Sequence, residues 1–294
     1  MADFVREKQA AALRSLLAAV GLTAFKIVVG VATGSLGILA EAAHSGLDLV
    51  AAGLTFVAVR FSGRPADRDH LYGHGKIENL SALAETLLLL LTCAWIVWEA
   101  VHRLRVHHTE IEVTAWSFAV MVTSIVVDVS RSRVLSRAAR EYHSQALEAD
   151  ALHFTTDVWS SSVVIVGLAA VKAGDWWPWL LFLRNADAIA ALGVSALVVW
   201  VSVRLGRRTL DALIDKAPQG MEQRIIAAVE GVEGVRNCHN VRMRYSGPIL
   251  FIDLHILTDG AQSLAQAHSL TETIEEVIRG LVPNADVTVH PEPF

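Results

Sequence analysis

Apolar residues run in long blocks along most of this chain and give way, after about Asp215, to short alternating ones. Six blocks reach the roughly 20 helical residues that a bilayer core requires. They are Ala12–Gly34, Leu36–Arg60, Glu78–Val101, Val113–Val134, Ala146–Val171 and Ala186–Leu205. Only the turn Thr33-Gly34-Ser35 separates the first two, so those helices are predicted to be antiparallel neighbours. Further on, Met221–Val232 has the spacing of a short amphipathic helix and Val235–Tyr245 reads as a strand. Within Leu250–Leu257, Ile252, Leu254 and Ile256 alternate with Asp253 and His255, the period of a half-buried strand. Leu264–Leu281 returns to helical spacing, and Ala285–His290 is a last strand. The order α-β-β-α-β predicts a small α+β domain of roughly 80 residues. A unit that small buries little surface alone, which favours pairing with a second copy. The expected domains are residues 1–212, a six-helix transmembrane domain, and residues 213–294, a cytoplasmic metal-binding α+β domain.

Composition removes several function classes. The 294 residues are 53% hydrophobic and 19% charged, with a mean hydropathy of +0.43. Ordinary soluble domains are about 25% charged, so a water-bathed globule is excluded. A net charge of -5 and a pI near 6.2 exclude a general nucleic-acid binder, which carries a basic excess. Cys93 and Cys238 make no disulfide framework, and Cys238, although it adjoins His239, reads as an inert thiol. Basic residues decide orientation. Arg6, Lys8 and Arg14, then Arg64, Arg68 and Lys76, then Arg131, Arg133, Arg137 and Arg140, then Arg204, Arg207 and Arg208 fall at alternate ends of the blocks. The opposite connections hold only Arg103, Arg105, Lys172 and Arg184. Both termini are therefore expected in the cytoplasm of a multi-pass protein of the cell (inner or plasma) membrane. Trp176-Trp177-Pro178-Trp179 suits an interfacial belt on the far side. The first block resembles a signal peptide but lacks a small-residue cleavage site, so it is expected to be retained.

The twelve histidines carry the chemistry. His44-Ser45-Gly46-Leu47-Asp48 and His153-Phe154-Thr155-Thr156-Asp157 are both His-x-x-x-Asp, and a four-residue step places both side chains on one helix face. Each ionisable group inside a span costs about 2.5–3.5 kcal/mol on insertion scales, so two matching pairs point to function. Together His44, Asp48, His153 and Asp157 would give tetrahedral zinc two imidazoles and two carboxylates. Asp67, His70 and His74 converge if the second connection folds back as a turn; otherwise they are a solvated loop. His239, His255, His268 and His290, with Glu292, lie on separate tail elements that only folding or dimerisation would gather. His102, His107 and His108 read as interfacial residues, and His143 is uninformative.

These features together resemble the cation diffusion facilitator family of zinc transporters over nearly the whole chain. The resemblance rests on the six spans, the paired intramembrane motifs, Gly73-His74-Gly75-Lys76 and the histidine-bearing tail. It implies a Y-shaped homodimer in the lipid bilayer whose tails have a ferredoxin-like fold. It assigns the transport site to His44, Asp48, His153 and Asp157, and a loop site to Asp67, His70 and His74. A binuclear cytoplasmic site would draw on His239, His255, His268, His290 and Glu292. Many bacterial members carry Asp where His44 stands, and the two-histidine form resembles the zinc-selective branch. Glu292 occupies a place often filled by the shorter Asp. Lys76 and Asp215 match a charge pair joining the third and sixth helices, with Asp211 close by as an alternative.

The expected function is export of Zn2+ in exchange for protons by alternating access, with zinc in the tail as a regulator. With neutral imidazoles the four-ligand site carries about -2, which a divalent ion neutralises, and protons compete with metal for the imidazoles. Ligand chemistry also admits iron(II), manganese, cadmium and cobalt, so an iron(II) or manganese exporter is the alternative within the class. An intramembrane metalloenzyme would need a segment such as His-Glu-x-x-His, which is absent from the sequence. A membrane-anchored metal sensor has no use for paired charges inside its anchor.

Overall fold

A computed structural model of the chain describes residues 2–105, 115–176 and 186–294. His107, His108, Arg184 and most of the Trp176–Trp179 belt lie outside the described residues. Six long helices come first: α1 (Ala2–Thr33), α2 (Leu36–Ser62), α3 (Lys76–Arg105), α4 (Ala115–Glu141), α5 (Gln145–Trp176) and α6 (Ala186–Leu213). The small α+β unit follows as α7 (Met221–Glu230), β1 (Asn237–Ser246), β2 (Ile249–Thr258), α8 (Leu264–Leu281) and β3 (Ala285–Pro293).

The helices overrun the apolar blocks at both ends. Helix α1 begins ten residues before Ala12, and α4 continues through Arg137 and Arg140 to Glu141. By length and apolarity, Val5–Thr33, Glu41–Ser62 and Lys76–Trp98 can each cross a membrane. Helices α4 and α5 are interrupted midway by Asp128, Arg131, Asp150 and Asp157. Gly34, at φ +67°, turns α1 into α2. Four residues earlier, a Cβ on Gly30 would come within 2.8 Å of the Leu39 side chain. That bare position is what lets the first two helices close on each other.

The bundle is made of pairs. Helix α1 packs chiefly on α2, α3 on α6, and α4 on α5. Where α1, α2, α4 and α5 meet, the seam is rich in alanine: Ala12, Ala19, Ala52, Ala138, Ala146 and Ala151 surround Leu135, Leu147 and Phe154. Lipid is as apolar as these side chains, so close backbone approach and dispersion hold such a seam, not the hydrophobic effect.

In the α+β unit the sheet order is β1-β2-β3, with β1 and β2 antiparallel and β2 and β3 parallel. Helix α8 makes the crossover and begins with a capping box in which Ser263 and Gln266 satisfy each other's backbone N–H groups. Ile252, Leu254 and Ile256 turn into a core with Ile225, Val229, Ile274 and Ile278 from α7 and α8. The alternating residues Asp253 and His255 are left on the other face. Strand β1 starts two residues later than the apolar pattern predicts, because a tight turn pairs Val235 N–H with the Val232 carbonyl.

The β1–β2 hairpin docks on the start of α3. A Cβ on Gly75 would sit 2.3 Å from the Ser246 carbonyl oxygen, so only glycine permits this approach. Gly247 N–H donates to Asn79 Oδ1 at 3.2 Å. Lys76 reaches Asp215 at 2.8 Å, while Asp211 pairs instead with Lys216. Arg244 lies over the Tyr72 ring at 4.0 Å, and that ring meets Phe251 edge-on. Gly75→Ala is expected to push the hairpin off the bundle at about 1–3 kcal/mol, the usual range for overpacking. Limited trypsin digestion should then cut faster at Lys216, and an unchanged rate would show that the docking does not depend on this glycine.

Candidate metal centres

Three groups of side chains bring ligand atoms within 4.8 Å of one another among the described residues. The first lies inside the helical bundle. On α5, His153 and Asp157 are one turn apart, and α2 presents Asp48 to the same point. His153 Nε2 is 3.1 Å from Asp48 Oδ1 and 3.6 Å from Asp157 Oδ2. Two ligands about 2 Å from a tetrahedral zinc lie about 3.3 Å apart, so these separations bracket what a shared ion needs. The three side chains are 8%, 13% and 16% exposed. Phe154 meets the His153 ring edge-on, and the Arg131 guanidinium lies over Phe154 at 3.4 Å.

His44 is the one residue of the expected four outside this group. It shares a helix face with Asp48 but sits one turn, about 5–6 Å, farther along α2. The approach of α2 to α5 is at the turn of Asp48. The four-residue step therefore aligns each pair on its own helix, but the crossing decides which members meet.

The second group is Asp67, His70 and His74, in the connection between α2 and α3. The segment does fold back: Asp67 N–H donates to the His70 carbonyl, and Gly73, at φ +73°, closes the next turn. Asp67 Oδ1 is 3.3 Å from His70 Nδ1, and Oδ2 is 3.3 Å from His74 Nε2. Backbone N–H donation from His70, reinforced by that from Asp69, holds the Asp67 carboxyl below its ordinary range. One carboxylate thus faces two imidazoles in an exposed turn.

The third group is His239, His255 and Glu292. His239, His255 and His290 occupy one cross-strand row through all three strands. Asn240, at φ +52°, marks the bulge that keeps His239 in that row. Glu292 Oε1 is 2.8 Å from His255 Nδ1, and its other oxygen is 3.3 Å from His239 Nε2. The hydrogen bond from His255, with the neighbouring imidazoles adding to it, keeps the Glu292 carboxyl below its ordinary range. His290 stands beside them, 3.9 Å from Glu292 and with its ring 4.8 Å from that of His255, but falls outside the ligand set. His268 is apart from it, 72% exposed on α8 next to Glu272. Its helix covers the opposite face of the sheet, so within one chain it does not reach this row. Cys238 points into the core, where burial and then the Glu230 charge push its thiol up to about 11.

Several functional-looking residues escaped the sequence reading. Lys26, buried in α1, holds Glu41 at 2.8 Å and the Ser45 hydroxyl at 2.6 Å, between His44 and Asp48. Asp150, one turn before His153, receives the Ser15 hydroxyl at 3.5 Å, and Arg131, which the sequence offers only as a charge at the end of an apolar block, is buried inside α4 and pairs with Asp128 at 3.3 Å. Thr55 donates to Glu85. The available signal was each polar interruption of an apolar block; the missing information was the partner, which lies on another helix.

Comparison with known proteins gives matches along nearly the whole chain. Residues 12–214 match the cation efflux transmembrane domain, and residues 217–294 match the cation efflux protein cytoplasmic domain. The chain is 32% identical to a cation-efflux pump FieF of Cronobacter sakazakii, over 99% of this chain and 94% of that one. A cation-efflux pump FieF of Pectobacterium atrosepticum is likewise 32% identical, over 94% and 92%. A solved structure of the MamM CTD covers 26% of this chain and 98% of its own, at 28% identity and a TM-score of 0.25. The six long helices are therefore a transmembrane domain, and this chain belongs to the cation efflux family, the cation diffusion facilitators, whose members export divalent metal cations across membranes.

Proposed function

We propose that this protein is a zinc/proton antiporter that works by alternating access. The observation that carries this reading is the convergence of Asp48, His153 and Asp157 from two helices on one point inside the bundle. His44, one turn along α2, completes the set as the fourth ligand once α2 or its own side chain adjusts. Residues 1–212 are the membrane unit and 213–294 the cytoplasmic unit, with both termini in the cytoplasm of the inner or plasma membrane. Two chains form a homodimer, in which His268 of each tail comes within reach of its partner's histidine row.

The chemistry follows from charge and protonation. Two carboxylates and neutral imidazoles carry about -2, which a divalent ion neutralises without leaving net charge in the membrane. An imidazole that holds a proton on the coordinating nitrogen cannot bind metal, so His153 exchanges one for the other. Free histidine titrates at about 6.5, close enough to neutrality for modest pH differences to decide which cargo is carried. In this scheme Asp48 and Asp157 hold the ion, and His153 and His44 couple it to protons. The row of His239, His255 and Glu292 and the loop trio of Asp67, His70 and His74 bind metal as regulators.

A second reading has its own observation. Without His44 the converged set is one nitrogen and two oxygens, harder than a two-histidine site and suited to iron(II) or manganese. His44 thus decides the cargo. In vesicles containing the full chain, His44→Ala is expected to lower zinc flux at least ~10-fold while sparing manganese flux. Equal losses for both metals would remove His44 from selectivity.

The transport site itself is tested by His153→Ala and Asp157→Ala, each expected to abolish flux of every divalent metal while the protein still inserts. Undiminished zinc flux in either variant would sink the assignment. Collapsing an imposed pH gradient with a protonophore should stop metal accumulation, whereas accumulation that ignores the gradient would refute proton exchange.

A further inference from the structure

Glu78, in the first turn of α3, is 1% exposed and gathers donors from three other elements. The Lys8 ammonium comes from α1, the Ser62 hydroxyl from the end of α2 at 2.7 Å, and the Ser144 hydroxyl from the residue that opens α5. Lys8 is itself 2% exposed. Helices α1 and α3 otherwise barely meet, so this ion pair spans a boundary that packing does not hold. Beside it, a Cβ on Gly63 would come within 2.6 Å of the Val5 side chain, which shows how tightly α1 is drawn over this end.

The next residue, Asn79, is fully buried and bridges two more elements. Its amide donates to Gln145 at 3.0 Å, in the first turn of α5, and its carbonyl accepts from Gly247 N–H in the docked hairpin. One turn deeper, Ala82 of α3 packs with Ala149 of α5 and Leu205 of α6 in a buried apolar plug. One turn deeper again on α5 stands His153. Along this line the order is polar knot, apolar plug, metal cluster.

We propose that Lys8 and Glu78 are a latch that shuts the α+β-domain end of the bundle, and that metal reaches Asp48, His153 and Asp157 from that end only when the latch parts. The proposal rests on the transport reading of that cluster. The physical reason is that the Glu78 carboxylate is satisfied by protein donors only while α1, α2, α3 and the start of α5 converge. When α3 withdraws, water entering the widened mouth replaces those donors. Exchanging protein hydrogen bonds for water ones changes the net free energy little, which gives two states of comparable stability separated by a discrete rearrangement.

The test uses the full chain in vesicles, with Cys93→Ser and Cys238→Ser as background and Ala82→Cys as reporter. A membrane-impermeant maleimide is applied from the α+β-domain side in metal-free buffer. Lys8→Met, and separately Glu78→Gln, which still accepts from both serines, are expected to speed labelling of the reporter about tenfold or more. The exchanged pair, Lys8→Glu with Glu78→Lys, should return the rate toward that of the parent. In the native cysteine background, the weakened latch should lower the KM for zinc from the same side by up to about tenfold, because more of the population is open to it. Unchanged labelling in both single variants, or a raised KM with no gain in labelling, would overturn the latch. Faster labelling combined with full flux in His153→Ala would keep the latch and discard the transport site instead.

Discussion

An ionised side chain in hydrocarbon must find a partner, and that constraint shapes the bundle. The Born penalty for such a group is several kcal/mol even after relaxation, more than most single packing contacts return. Lys8 meets Glu78 and Lys26 meets Glu41, each pair tying two helices that the alanine seams alone would not hold in register, and Arg131 meets Asp128 one turn away on α4. Carboxylate oxygens of Glu85, Asp150 and Asp157 are buried without a hydrogen bond. Asp150 is three residues from His153, and Asp157 is in the cluster itself. Negative charge is therefore gathered in one region of the bundle, and in the transport reading proposed above a divalent cation relieves it.

Much of this was legible in the sequence, for reasons that also mark the limit. The helices follow from block length, because a span in lipid must satisfy its own backbone and be apolar throughout. Leu264–Leu281 matches α8 residue for residue, since a capping box and a helical stripe are both local signals. His153 and Asp157 were legible as a pair because one helical turn separates them. The choice of Asp48 over His44 was not, because it depends on where two helices cross. Lys8 and Glu78 lie 70 positions apart, and each taken alone looks like a charge at the end of an apolar block. In the tail, alternation marked His255 for the open face of its strand. The row through His239 and His290 needed the register of three strands and a bulge at Asn240, neither of which the residue pattern encodes.

The three clusters differ in design. In the loop and on the sheet, a carboxylate is the hub and imidazoles surround it: Asp67 faces His70 and His74, and Glu292 faces His239 and His255. In the bundle an imidazole is the hub and carboxylates flank it. With neutral imidazoles the exposed loop trio and the half-buried sheet trio carry -1 each, and the buried trio -2. Water and counter-ions complete the charge balance of an exposed site, so one carboxylate suffices there. A buried site has no such help and must match the ion with its own side chains. In the proposed reading, in which all three hold metal, the opposite compositions are what their different dielectric settings require.

The pairing of helices also constrains how access to the buried cluster can change. Its side chains come from α2 and α5, and the α1–α2 and α4–α5 pairs are joined to each other through the alanine seam and the α1–α4 contact. Helices α3 and α6 pack chiefly on each other and contribute no ligand. A motion that separated α2 from α5 would pull Asp48 from His153 and break up the proposed transport site. In the transport reading proposed above, the motion that spares the cluster is one of the α3–α6 pair against the other helices, and it has to part the packing of α3 on α2 and α5 and of α6 on α5. The polar groups that must exchange partners in that motion are those joining α3 to the four-helix unit. At the α+β-domain end these are Glu78 and Asn79, in the turn where the hairpin of the sheet is seated.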